Sequence, residues 1–152
     1  MAEPIVRLAR VSKRYAEMVA VEPLDLDIDA GEFVVLLGPS GSGKTTILSM
    51  IGGFAAPTEG RVLIAGEDVT DLPPAKRPTA TVFQDYALFP HMSVRSNVAF
   101  GLAMRKVPKG ERHRRADEVL QLVGLEGFSD RGVHQLSGGQ RQRVALARAM
   151  AV

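Results

Sequence analysis

The sequence contains no cysteine, which excludes disulfides, thiolate metal sites and thiol catalysis and suits a reducing compartment. It also lacks a long apolar run: the strongest, residues 33–37, is far shorter than the roughly 20 residues a membrane-spanning helix needs. Near the N-terminus Glu3, Pro4 and Arg7 interrupt any candidate export signal, so we expect that work at a membrane would require another component as anchor. Internal repeats and low-complexity tracts are absent. Aromatic residues are scarce, and the basic run 105–115 contains none on which a nucleobase could stack.

What is present suits one globular domain: 152 residues, 45% of them hydrophobic. The formal net charge of +2 hides an asymmetry. Residues 1–100 hold nine Lys/Arg against twelve Asp/Glu (net −3), and residues 101–152 hold ten against five (net +5). Without aromatics in the basic run, a solvated helical surface accounts for it better than a nucleic-acid face, and no nucleic-acid partner is expected.

Leu24, Leu26 and Ile28 alternate with Asp25, Asp27 and Asp29, the period of a strand with one buried and one wet face. Phe33-Val34-Val35-Leu36-Leu37 is apolar at every position, which predicts a strand covered on both faces. From Lys44 the spacing of Ile47, Met50 and Ile51 predicts a helix ending at Gly52-Gly53. Short strands are predicted at 61–64 and 81–83. Ala116, Val119, Leu120 and Val123 mark an amphipathic helix, and another begins near Gly139, so a helical region follows a strand-rich one. The last helix is apolar on most sides (Val144, Leu146, Ala147, Ala149, Met150) and has no stop signal, the pattern of an element covered by something else.

Gly38-Pro39-Ser40-Gly41-Ser42-Gly43-Lys44-Thr45 fits G-x-x-x-x-G-K-[ST], between an apolar run and a helix. Its glycines let backbone N–H groups curl around a β-phosphate, Lys44 brings a point charge to the β- and γ-phosphates, and the Thr45 hydroxyl can ligate magnesium. Thr46, in the first turn of the helix, is placed for the α-phosphate. Leu136-Ser137-Gly138-Gly139-Gln140 is a second set of small residues at a helix start, with Ser137 suited to the N-cap position and its hydroxyl a further donor to an anion.

Together with the run Val82-Phe83-Gln84-Asp85-Tyr86-Ala87-Leu88-Phe89-Pro90-His91, these segments have the order and spacing found in ATP-binding-cassette transporter ATPases, which the chain resembles along essentially its whole length. The resemblance implies an α/β P-loop NTPase fold. Its parts would be a RecA-like core with an antiparallel β subdomain, at about 1–93, and a helical signature subdomain, at about 94–152, incomplete at the C-terminus. It implies ATP and Mg2+ as cofactors, Lys44 and Gln84 as catalytic residues, and Thr45 and Gln84 at the metal. Tyr15 would stack on adenine, Gly38–Thr46 would hold the phosphates, and Ser137, Gly138, Gly139 and Gln140 would close over nucleotide bound by a second ATPase subunit in a head-to-tail dimer. The implied partners are that subunit, transmembrane permease subunits and, indirectly, a periplasmic or extracellular solute-binding protein. The implied location is peripheral, at the cytoplasmic face of a prokaryotic inner membrane.

The segments Asp71-Leu72-Pro73-Pro74 and Arg77-Pro78-Thr79 resemble the ATPases of spermidine/putrescine-type importers, which implies polyamine or a related small solute as cargo. Ala80 and Val133 depart from the commonest residues of these relatives. A soluble cassette ATPase acting on nucleic acid or ribosomes is an alternative that the Gln84–His91 run argues against, and a non-catalytic remnant is another. The family's next motif, an apolar strand ending in Asp-Glu, and its switch histidine have no counterpart among residues 1–152; His91, His113 and His134 occupy other positions. We therefore expect residues 1–152 alone to bind nucleotide weakly, not to turn it over, and to be poorly stable.

Overall fold

The computed structural model describes residues 3–152. They form two compact units, divided between Thr79 and Ala80, so the segment 80–93 groups with the helices that follow it.

The first unit is a four-stranded antiparallel sheet with one helix packed on it. Its strands are β1 (Val6–Tyr15), β2 (Met18–Ile28), β3 (Glu59–Ile64) and β4 (Glu67–Asp68), in the order β2-β1-β3-β4. β1 and β2 are joined by a two-residue turn at Ala16 and Glu17, with Tyr15 opposite Met18. In β2 the aspartates are exposed and Leu24, Leu26 and Ile28 half-buried, as the alternation predicts. β1 does not alternate simply. A bulge near Arg10, at φ 49°, shifts the register so that Leu8 and Val11, three residues apart, both face the core. The bulge is held by the Arg10 N–H donating to Asp25 Oδ1 at 2.8 Å. Opposite it Gly60 has φ 86°, and a Cβ there would lie 2.3 Å from the Arg10 carbonyl oxygen, so no larger residue fits.

Helix α1 (Lys44–Gly52) lays Met50 against Leu8, Val11, Val21, Val62, Ile64 and Val69, with Ile47 and Ile51 at the edge. Each fully buried side chain here contributes about 1.5–3 kcal/mol of transfer free energy. The helix ends as predicted: Gly53, at φ 81°, donates its N–H back to Met50 O.

Two expected strands are not formed. Residues 33–37 pair with no strand, and Phe33 and Leu37 are each 89% exposed. Residues 81–83 are likewise irregular and exposed. Both runs have strand composition, but a strand also needs a neighbouring backbone to complete its ladder, and the described residues offer them none.

The second unit is helical: α2 (Val94–Val98), α3 (Phe100–Met104), α4 (Lys109–Leu122) and α5 (Gly138–Met150). Its core joins Val94, Val98, Ala116, Leu120, Leu125, Leu136, Val144 and Ala147, with Val119 and Val123 packed at the margin. α5 is covered on one side only; Leu146 and Met150 are 46% and 49% exposed. Fully buried Asn97 shapes the preceding loop. Its Oδ1 accepts from Phe89 N–H at 2.8 Å, and its Nδ2 donates to the carbonyls of Phe89 and Ser93 at 3.1 and 3.0 Å.

A polar link ties α2 to α4 and the loop beyond it. Arg95 donates to Asp117 at 2.9 Å and to Asp130 at 2.8 Å, and the Ser129 hydroxyl donates to Asp117 at 2.6 Å. Burial pushes the Asp117 carboxyl up, but the Ser129 and Arg95 hydrogen bonds together hold it below the usual carboxylate range. A carboxylate depressed by folding stabilises above its unfolded pKa, and that contribution is lost as pH falls through its folded value. With Asp117 partly exposed and screened, Asp117→Asn is expected to cost about 1 kcal/mol at neutral pH. Urea unfolding at successively lower pH checks this: the gap between the two proteins should close below about pH 4.

Candidate functional site

The loop 38–43 enters α1 through two glycines in the left-handed region, Gly41 at φ 81° and Gly43 at φ 89°. A Cβ on Gly43 would lie 2.6 Å from Ala20 O, so the loop is pressed directly onto β2. Gly41 has open space around it and is needed for its backbone angle alone. Successive amides thereby turn into the first turn of α1, where the N–H groups of Lys44, Thr45 and Thr46 have no helical carbonyl to meet. That helix start is an anion site by geometry and dipole.

Lys44 Nζ donates to Gly38 O and Pro39 O at 2.7 Å each and to Ser42 Oγ at 3.1 Å, so the side chain folds back over its own loop. Beside it lies a cleft of about 400 Å³, walled by residues 40–46 and by Tyr15, Met18, Val19 and Ala20 of the β1–β2 hairpin. Of the residues predicted for phosphate binding, Ser40 through Thr46 line this cleft, and Gly38 and Pro39 supply the carbonyls that receive Lys44. The hairpin brings in Tyr15, a residue 47% exposed, with Lys13 Nζ 4.9 Å from its ring centroid.

The remaining predicted residues lie in the second unit. Ser137 is the N-cap of α5: its Oγ accepts from Gln140 N–H at 3.3 Å, and Gln140 Oε1 accepts from Ser137 N–H at 2.9 Å. Gly138 and Gly139 are exposed, and a Cβ on either would touch nothing within 4 Å. Nothing in the fold of this unit requires glycine at these two positions, so the helix start is left bare to whatever approaches it. Gln84 is exposed at the start of the turn 84–87, and its side chain makes no hydrogen bond to the described residues.

Three side chains central to this architecture escape a reading of motifs. Arg77 caps the C-terminal end of α1, Asn97 shapes the loop 89–93, and Arg148 holds the turn after Gln84. Each works on backbone carbonyls or amides brought to it by folding, and no local pattern announces it.

No group of three or more His, Cys, Asp or Glu that could hold a metal ion occurs among the described residues.

A profile of the ABC transporter family matches residues 21–152, and the chain belongs to that family. Its fold is that of the ABC ATPase cassette, a P-loop NTPase. The chain is 59% identical over 145 residues to the spermidine/putrescine import ATP-binding protein PotA of Rubrobacter xylanophilus, covering 95% of this chain and 38% of that protein. It is 52% identical over 150 residues to PotA of Clostridioides difficile, covering 99% and 43%. It thus spans about two-fifths of the length of these curated relatives. Among solved structures, it matches a dimeric post-hydrolysis state of the ATP-binding cassette MJ0796 bound to ADP and Pi. The TM-score is 0.86 at 38% identity, over 96% of this chain and 69% of that one. cbiO1 from Clostridium perfringens, part of the ABC transporter complex cbiONQ, matches with a TM-score of 0.84 at 29% identity, over 99% and 62%.

Proposed function

We propose that the chain is the nucleotide-binding part of an ATPase that drives polyamine import. The observation that carries this reading is the cleft in which an aromatic ring, a lysine and the bare amides of a helix start face one ligand-sized space. A nucleoside triphosphate fits that donor set, with its base toward Tyr15 and its phosphates on residues 38–46. Mg2+ bound with ATP would be held by Thr45 and by Gln84, supplying charge neutralisation at the β- and γ-phosphates. Lys44 stabilises the phosphate charge and Gln84 orients the attacking water.

The division of labour follows the sequence: about 1–93 holds nucleotide, and about 94–152 presents Ser137, Gly138, Gly139 and Gln140 to nucleotide on a second ATPase subunit. The open space around the two glycines supports close approach of such a ligand. No helix among the described residues is long and apolar enough to cross a membrane. We place the protein at the cytoplasmic face of a prokaryotic membrane, held by permease subunits that receive cargo from a solute-binding protein. The names of the two relatives support polyamine as that cargo.

The test is reconstitution of the intact ATPase with its permease in vesicles. Uptake of labelled spermidine is expected to require internal ATP. ATP-driven uptake of another solute with no spermidine uptake would overturn the cargo, and failure of the protein to bind ATP would overturn the whole reading.

A further inference from the structure

The turn that follows Gln84 is an unusual piece of backbone. Tyr86 and Ala87 both have positive φ, 65° and 42°, a region that side chains with a Cβ disfavour. A single local bond closes it, from Tyr86 N–H to Phe83 O at 3.0 Å. Two consecutive left-handed residues in a short exposed turn persist only where other groups hold them.

One side chain supplies the hold. Arg148 Nη1 donates to Ala87 O at 2.6 Å and Nη2 donates to Tyr86 O at 2.9 Å. Its guanidinium lies 5.7 Å from the centroid of the Phe89 ring. No carboxylate among the described residues lies within ion-pair distance of it, so its directional partners are those two carbonyls. The fork of a guanidinium matches two adjacent carbonyls in a way that the single nitrogen of a lysine does not. Arg148 sits in the last turn of α5, ten residues and about 15 Å along the axis from Gly138. One rigid helix therefore carries the bare Ser137–Gly139 start at one end and the clamp on the glutamine turn at the other.

The geometry points to Arg148 as a positioning residue that fixes the turn carrying Gln84 to helix α5, so that the placement of Gln84 depends on the helix that begins with the signature residues. This rests on the function proposed above for Gln84. Arg148 touches no substrate and acts through the backbone of Tyr86 and Ala87.

The experiment is made on the intact ATPase with Arg148→Lys, which keeps the charge and the aliphatic stem, alongside Arg148→Ala. Hydrogen exchange is expected to speed up at the amides of residues 84–88 in both variants while the core amides of α2 and α4 stay protected. Per folded molecule, kcat is expected to fall about tenfold or more with KM for ATP kept within about twofold, because a misplaced positioning group costs rate rather than binding. Lysine should recover little of the loss. Unchanged exchange at 84–88, or full recovery by lysine, overturns the clamp. So does exchange that rises equally throughout the helical unit, since that marks a merely structural role. If the wild-type protein binds no ATP, the proposed function fails, and exchange at 84–88 still decides the clamp.

Discussion

Replacing Lys44 with alanine is expected to lower ATP affinity about a hundredfold, or about 2.7 kcal/mol, and to reduce hydrolysis by the intact ATPase to background. The loop amides and Lys44 together form the positive wall of the cleft, and among the described residues that line it only the lysine carries a full charge. Its ammonium now rests on Gly38 O, Pro39 O and Ser42 Oγ, and a bound phosphate would draw it off those oxygens. The site thus exchanges three neutral acceptors for charged ones at modest reorganisation cost, and alanine forfeits that exchange. The same bonds are partly solvent-exposed, so the fold should survive their loss with a shift in the urea midpoint corresponding to less than about 1 kcal/mol. Titration with a fluorescent ATP analogue, competed by ATP, reads the affinity. An affinity within threefold of wild type would show that phosphates bind somewhere other than residues 38–46.

The features readable in advance were those whose causes lie within a few residues of one another. α1 begins at Lys44 and stops at Gly53 because a left-handed glycine marks each end, and Ser137 caps α5 because its hydroxyl and Gln140, three residues on, complete a capping box. The wet and half-buried faces of β2 follow from strict alternation. Residues 33–37 and 81–83 mark where pattern stops being sufficient. Their composition states a preference for strand, but the ladder partner that would realise it is a property of the surroundings. β1 carries no readable alternation for a different reason. Its bulge near Arg10 breaks the two-residue period, so Leu8 and Val11 read as mismatched until the register shift is seen. Tyr15 belongs to the candidate site only because the hairpin folds it beside the loop. Arg148 meets its carbonyls across 61 and 62 residues, a relation invisible to any short window.

Arg77 is a position outside the apolar core where a single change should cost the first unit heavily. Its side chain reaches under the end of α1 and is 6% exposed. Nη1 donates to Met50 O and Ile51 O at 2.6 and 2.9 Å, Nε to Leu72 O at 2.8 Å, and Nη2 to Thr70 O at 3.0 Å. α1 has no basic residue of its own in its last turn, so this guanidinium both satisfies terminal carbonyls and faces the negative end of the helix dipole. Burial lowers its pKa, and the carbonyl oxygens stand in for the carboxylate partner it lacks among the described residues. Gly53 is part of the same arrangement, since a Cβ there would lie 2.5 Å from Arg77 Nε. Arg77→Ala should leave several inward-facing carbonyls unpaired and open a gap beside Met50, at a cost of about 3 kcal/mol. Arg77→Lys should lose about 2 kcal/mol, because one nitrogen cannot serve four divergent carbonyls at once. Urea unfolding of both variants at unchanged m-value checks the size. Hydrogen exchange distinguishes the cause: protection should drop first at the C-terminal turn of α1 and at residues 70–77, the segments the guanidinium joins. If lysine proved as stable as arginine, charge at the helix end would be the dominant contribution and the divergent hydrogen bonds secondary.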